Sequence, residues 1–129
     1  MNVLQNYKNT KNRTVQEFLD LCSVCTDPNT SSKILTTLAE DVDFNIRSKV
    51  AAHANTPTSV LRELAYDYAE VVCYSVACNP NTPQEALYLL SSHSNFWIRG
   101  AVVNNPNATE EIIMLAKATG FIENRFQFT

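Results

Sequence analysis

Four cysteines, two histidines and a column of arginines are the residues of this chain with the most chemistry to offer. Cys22 and Cys25 have CxxC spacing, while Cys73 and Cys78 stand five apart. A zinc or iron–sulfur centre would need all four thiolates, or three and a histidine, to converge on one point. His53 and His93 are the only histidines that could join them. Acid–base and nucleophilic chemistry have less to start from, because the chain holds no GxSxG, no HExxH and no paired-carboxylate pattern. Its two glycines, Gly100 and Gly120, do not make a phosphate-cradling loop. Arg47, Arg99 and Arg125 offer a different property, a set of fixed positive charges suited to phosphates or an acidic partner.

Whether any of these groups meet depends on the elements that carry them, and here the sequence is periodic. Asn29, Asn55, Asn81 and Asn107 recur every 26 residues inside the tetrapeptides DPNT, HANT, NPNT and NPNA. A fixed period of this length signals stacked units, each burying its apolar side on its neighbours. Each unit opens on a turn of Asn, Asp or Pro. Thr30, Thr56 and Thr82 stand where an N-cap is expected, with Pro57 and Pro83 at the first helical position and Glu85 completing a capping box with Thr82. The first helix then places Leu35 and Leu38, Leu61 and Leu64, and Leu87 and Leu90 on one apolar face. A shorter second helix, capped by Asp43 and Asn95 in two of the units, turns Ile46 and Val50, Val72 and Val76, and Ile98 and Val102 inward.

No strand signal interrupts this pattern. The expected fold is an all-α, right-handed α-solenoid of 26-residue two-helix repeats, spanning 27–52, 53–78, 79–104 and 105–129. Thr14-Val15-Gln16-Glu17 reads as a capping box that starts an N-terminal capping helix over 14–26. Residues 1–13 read as a polar, flexible lead-in, so 14–129 form the single domain. In that frame the cysteine pairs lie about 20 Å apart, at roughly 8–10 Å per packed helix. Four reduced thiols are therefore expected, with no metal and no cofactor. The net charge of −3 and pI near 5.3 supply no footprint for nucleic acid or an anionic membrane. With no signal peptide and no transmembrane run, the expected location is cytoplasmic.

The motif N-P-N-T-P-x-x-x-L-x-x-L followed by F/W-x-I-R-x-x-V resembles the leucine-rich repeat variant family, a relative of HEAT-like repeats. Asn79-Pro80-Asn81-Thr82-Pro83, Leu87, Leu90, Phe96, Ile98, Arg99 and Val102 carry the resemblance, which extends over 27–129. Some members of that family have a cysteine-rich iron–sulfur module ahead of the repeats. Only Cys22 and Cys25 are available at that end, so the module is not expected. The resemblance implies an interaction scaffold and no catalytic activity.

Two surfaces compete as the site of interaction. Val71, Tyr74, Trp97 and Phe126 fall on the outward side of successive second helices, where they would make an apolar stripe for a protein or peptide, with Gly100 leaving room beside them. The opposing reading rotates the short helices and tucks Trp97 inward. Arg47, Arg99 and Arg125 would bind nucleic acid or an acidic ligand as a ladder, unless they lie along the core edge and bond turn carbonyls or acids. The aromatic end at 121–129 departs from the repeat, and either caps the stack or docks a second subunit.

Overall fold

A computed structural model describes residues 4–127, with side chains described through Thr119. The described residues form eight α-helices and no strand. They are α1 (Val15–Thr26), α2 (Ser32–Leu38), α3 (Phe44–Ala52), α4 (Thr58–Leu64), α5 (Glu70–Cys78), α6 (Gln84–Leu90), α7 (Phe96–Val103) and α8 (Glu110–Gln127). The starts of α2, α4, α6 and α8 lie 26 residues apart, as do those of α3, α5 and α7. Helices of seven to nine residues are too short to persist alone in water, so packing must hold them.

That packing runs along a row. α1 lies against α3, α3 against α5, α5 against α7 and α7 against α8, while α2, α4 and α6 cover one side. Among the described residues, contacts along the α3–α5–α7–α8 row are the most extensive, and those between α4 and α6 are slight. The row is therefore the more tightly packed of the two layers. Its inward residues are the expected ones: Ile46, Val50, Val72, Val76 and Val102 are fully buried, and Ile98 nearly so. Leu35, Leu38, Leu61, Leu87 and Leu90 close the core from the other layer. Each such side chain contributes about 1.5–3 kcal/mol through burial.

The turns carry a second, polar scaffold. Asp27, His53, Asn79 and Asn105 occupy one column, and each accepts a hydrogen bond from the backbone N–H two residues on, at 2.9 Å. The last three also donate to the preceding turn. Asn79 reaches the carbonyls of Ala51 and His53, Asn105 those of Ala77 and Asn79, and His53 Nε2–H that of Asp27. Asp27 has no donor, and no turn of this kind precedes it. Asn55 and Asn107 form a parallel column, bonding Pro28 and Thr30, and Pro80 and Thr82, through their side-chain amides. Asparagine suits both columns because one side chain supplies an acceptor and two donors.

The threonines do something other than the expected capping. Thr30, Thr56 and Thr82 donate to the carbonyls of Val24, Val50 and Val76, at 2.5, 2.5 and 2.6 Å. They thereby give a second hydrogen bond to carbonyls in the last turn of the previous helix, each of which also accepts a backbone N–H. Their hydroxyls are committed there, so Pro57 and Pro83 occupy the N-cap positions of α4 and α6 with no side-chain cap bond, and the Thr82–Glu85 capping box does not form. In the first unit Ser31 caps α2 instead. The capping box at Thr14 and Glu17 is present, and Asp43 and Asn95 cap α3 and α7.

The lead-in is tied to the first unit. Tyr7 donates to the buried Asp41 carboxylate, Arg13 clasps it through two nitrogens at 2.9 and 2.8 Å, and Asn9 bonds Glu40 and Val42. Burial would push the Asp41 carboxyl up, but the hydrogen bonds from Arg13 and Tyr7 outweigh it and hold it below its ordinary value. A depressed carboxylate pKa adds stability above the unfolded value near 4, which is lost as pH falls toward the folded value. Arg13→Gln should therefore cost roughly 2 kcal/mol at pH 7, and the gap to wild type should narrow at an acidic pH below the unfolded carboxylate value. Urea midpoints at the two pH values check this; an equal gap at both would exclude the carboxylate.

Candidate interaction surface

The arginine column lies inside. Arg47 and Arg99 are buried, at 7% and 5% exposure. Arg47 pairs with the Asp67 carboxylate through Nε and Nη2 at 2.7 and 3.1 Å, gives Nη1 to the Asp41 carbonyl, and stacks on Tyr68 at 5.3 Å. Arg99 gives Nη1 to the carbonyls of His93 and Ser94. Cys73, between them in the column, donates its thiol to the Asp67 carbonyl at 3.1 Å. All three reach the backbone carbonyl six residues earlier, so the column closes turns. Arg125 lies beyond the described side chains.

Cys73 does so with a much shorter side chain, and His93 stands where the preceding units have Asp67 and Asp41. The space the guanidinium would fill is a hollow of about 210 Å³ lined by Asp67, Cys73, Leu89 and His93. Cys73→Arg alone would bury a cation with no acid of its own, because Asp67 is already held by Arg47, at a cost of about 1–3 kcal/mol. Adding His93→Asp should recover at least about 1 kcal/mol of that loss, as the coupling term of a double-mutant cycle read from urea unfolding. Additive effects would mean the hollow does not correspond to the Arg47–Asp67 site.

The four cysteines are free thiols. Burial pushes Cys25 and Cys73 each up to about 11, which removes thiolate reactivity at neutral pH. Among the described residues no cluster of three or more His, Cys, Asp or Glu could hold a metal ion. No described helix is long and apolar enough to cross a membrane.

The aromatic residues are arranged differently. Trp97 is 66% exposed, and Val71 and Tyr74 are each 43% exposed. The three lie on the solvent-facing side of α5 and α7, within the more tightly packed row. The Asn95 side chain accepts from the Trp97 N–H at 2.8 Å, which fixes the start of α7 and hence the phase that turns the indole outward. Phe96 extends the patch at 60% exposure, its ring 4.7 Å from that of Trp97. Beside them a groove of about 370 Å³ opens between the two helices, lined by Tyr74, Cys78, Trp97, Gly100, Ala101 and Asn104 among others. A Cβ added at Gly100 would meet nothing within 4 Å, so its value there is open space, not a forced backbone. A hydrogen bond with Cys78 raises the pKa of the Tyr74 phenol above its ordinary value.

The sequence brought Val71, Tyr74 and Trp97 to one face but passed over Phe96. Its signal was the shared column with Phe44, itself 45% exposed. Tyr88 is exposed on α6, in the other layer, and does not extend the patch. Phe126 lies beyond the described side chains. No family model, no curated protein and no solved structure matches the chain.

Proposed function

We propose that the chain is a non-catalytic, right-handed α-solenoid of two-helix repeats that binds another protein or peptide through the Val71, Tyr74 and Trp97 face, with Phe126 as its continuation. One observation carries the reading: a two-thirds exposed tryptophan beside a second aromatic ring and a groove. Aromatic side chains that present their area to water at no gain in stability are the usual anchors of protein interfaces. The solenoid form is supported by the 26-residue spacing of helix starts and by side chains that bond the turn one unit back. A repeat stack also needs sealed ends, and α1 with the docked lead-in would serve at one of them. The leucine-rich repeat variant resemblance points the same way, and four free thiols suit the proposed reducing, cytoplasmic setting.

The arginine column lends nothing to nucleic-acid binding, since the guanidinium groups of Arg47 and Arg99 bond turn groups inside the fold. Tyr74→Ala combined with Trp97→Ala should weaken binding to a partner of the wild-type protein at least tenfold, which is about 1.4 kcal/mol. Far-ultraviolet circular dichroism should stay unchanged, because neither ring is in the core. The wild-type Trp97 fluorescence should be red-shifted, readily quenched by acrylamide, and protected on complex formation. Unchanged affinity in the double variant would remove this face from consideration.

A further inference from the structure

We infer that the partner segment is an extended peptide with two recognition points. Its apolar side chain enters the Tyr74–Trp97–Gly100 groove, and an acidic group five or six residues away meets Lys49. The inference rests on the reading of this face as the binding surface and adds the chemistry of what binds. Charge is the first argument. The chain has 13 acidic residues and a net charge of −3, yet the outward positions of α3, α5 and α7 carry no Asp or Glu and a single cation, Lys49. Glu70, at the first residue of α5, is already held by the Asn95 side chain at 2.7 Å.

Lys49 itself is half-buried along a hollow of about 450 Å³ between α1 and α3, lined also by Cys25 and His53. Among the described residues it has no carboxylate within ion-pair distance, whereas Arg13, Arg47 and Arg62 each have one. A partly desolvated, unpaired ammonium favours an incoming carboxylate more than a fully hydrated one does.

Distance sets the spacing. The hollow between α1 and α3 that Lys49 lines and the groove between α5 and α7 are two helix packings apart, roughly 16–20 Å at 8–10 Å per step. An extended chain at about 3.3 Å per residue covers this in five or six residues. A helical ligand at about 1.5 Å per residue would need eleven to thirteen. The path between is uncharged: the hydroxyls of Ser48 and Ser75 bond each other at 2.8 Å. At the far lip the exposed Asn104 amide is placed to bond a peptide backbone.

Selection from a displayed library of random 16-residue peptides tests this, using the wild-type protein, Lys49→Glu, Lys49→Gln, and Tyr74→Ala with Trp97→Ala. Wild type should enrich peptides with an aliphatic or aromatic residue and an Asp or Glu five or six positions apart. The best synthetic peptide should bind Lys49→Glu at least tenfold more weakly and Lys49→Gln by an intermediate amount. Changing the peptide's acid to Lys should restore binding to Lys49→Glu. Acidic residues at a helical spacing, equal binding to Lys49→Glu, or no enrichment at all would each overturn the proposal. Peptides that depend on Tyr74 and Trp97 but ignore Lys49 would overturn it alone. Equal enrichment on the Tyr74→Ala, Trp97→Ala protein would overturn the surface reading with it.

Discussion

Asn79→Asp is expected to cost roughly 3–5 kcal/mol, and Asn79→His only about 1. Asn79 is 2% exposed; it donates to the carbonyls of Ala51 and His53 at 2.8 and 3.1 Å and accepts from the Asn81 N–H. Aspartate keeps the acceptor but loses both donors, and turns a carboxylate toward two carbonyl oxygens in a buried site. Its folded-state pKa must then rise well above the unfolded value near 4. The penalty is full above that raised pKa and shrinks as pH falls, because a protonated carboxyl can donate once. Histidine is the substitute the chain already uses in this column. His53 accepts from the Asn55 N–H at Nδ1 and donates from Nε2 to Asp27, which fixes its tautomer and gives up one donor. Urea unfolding at pH 7 and pH 5 should show Asn79→Asp much less stable than Asn79→His, with the difference narrowing at the lower pH. Equal losses in the two variants would mean that the bonds between turns add little.

The layout of these columns explains what could be read from the sequence. Periodicity of Leu87, Leu90, Ile98 and Val102 is a property of single helices, so the all-helical fold and the buried faces were legible. The hydrogen bonds of Asn79 and Thr82 join groups on different turns, and spacing along the chain does not show which carbonyl is near. Thr82 accordingly looked like an N-cap, a role its type and position suited, while Val76 had the stronger claim on its hydroxyl. Arg47 could be read as a ladder member or as a core-edge residue bonding turn carbonyls or acids, but its acid could not be named for the same reason, since Asp67 lies 20 residues on in the next unit. A signal for that pair was present: the columns read Arg47, Cys73 and Arg99 against Asp67, His93 and Thr119, with charge lost from both at Cys73 and His93. Trp97 could not be assigned because α7 has eight residues, and a modest rotation of so short a helix turns that position inward or outward. Only the Asn95 cap and the fixed phase of Ile98 decide it.

The same geometry in two places should give opposite results on substitution. Arg47–Asp67 and Arg62–Glu85 are both ion pairs through Nε, at 2.7 and 2.9 Å, but their side chains are 9% and 9% exposed in the first and 50% and 70% in the second. In water the second pair trades ion–ion attraction for hydration it already had, and Arg62→Ala is expected to change stability by at most a few tenths of a kcal/mol. In the first pair, Arg47→Met strands the Asp67 carboxylate with the Ala69 N–H as its remaining donor, and opens the Asp41 carbonyl as well. The expected loss is about 3–5 kcal/mol, a large share of the roughly 5–15 kcal/mol that holds a domain folded. Adding Asp67→Asn removes the stranded charge and should return much of it, so the double variant measures the cost of the unpaired charge more than the worth of the bridge. That double variant also separates structure from binding. It lacks the Arg47 charge but should fold, so any ligand it still holds was never bound by the arginine column, whereas a loss confined to Arg47→Met alone reports unfolding. A loss from Arg62→Ala as large as that from Arg47→Met would show that burial is not what sets the value of these pairs.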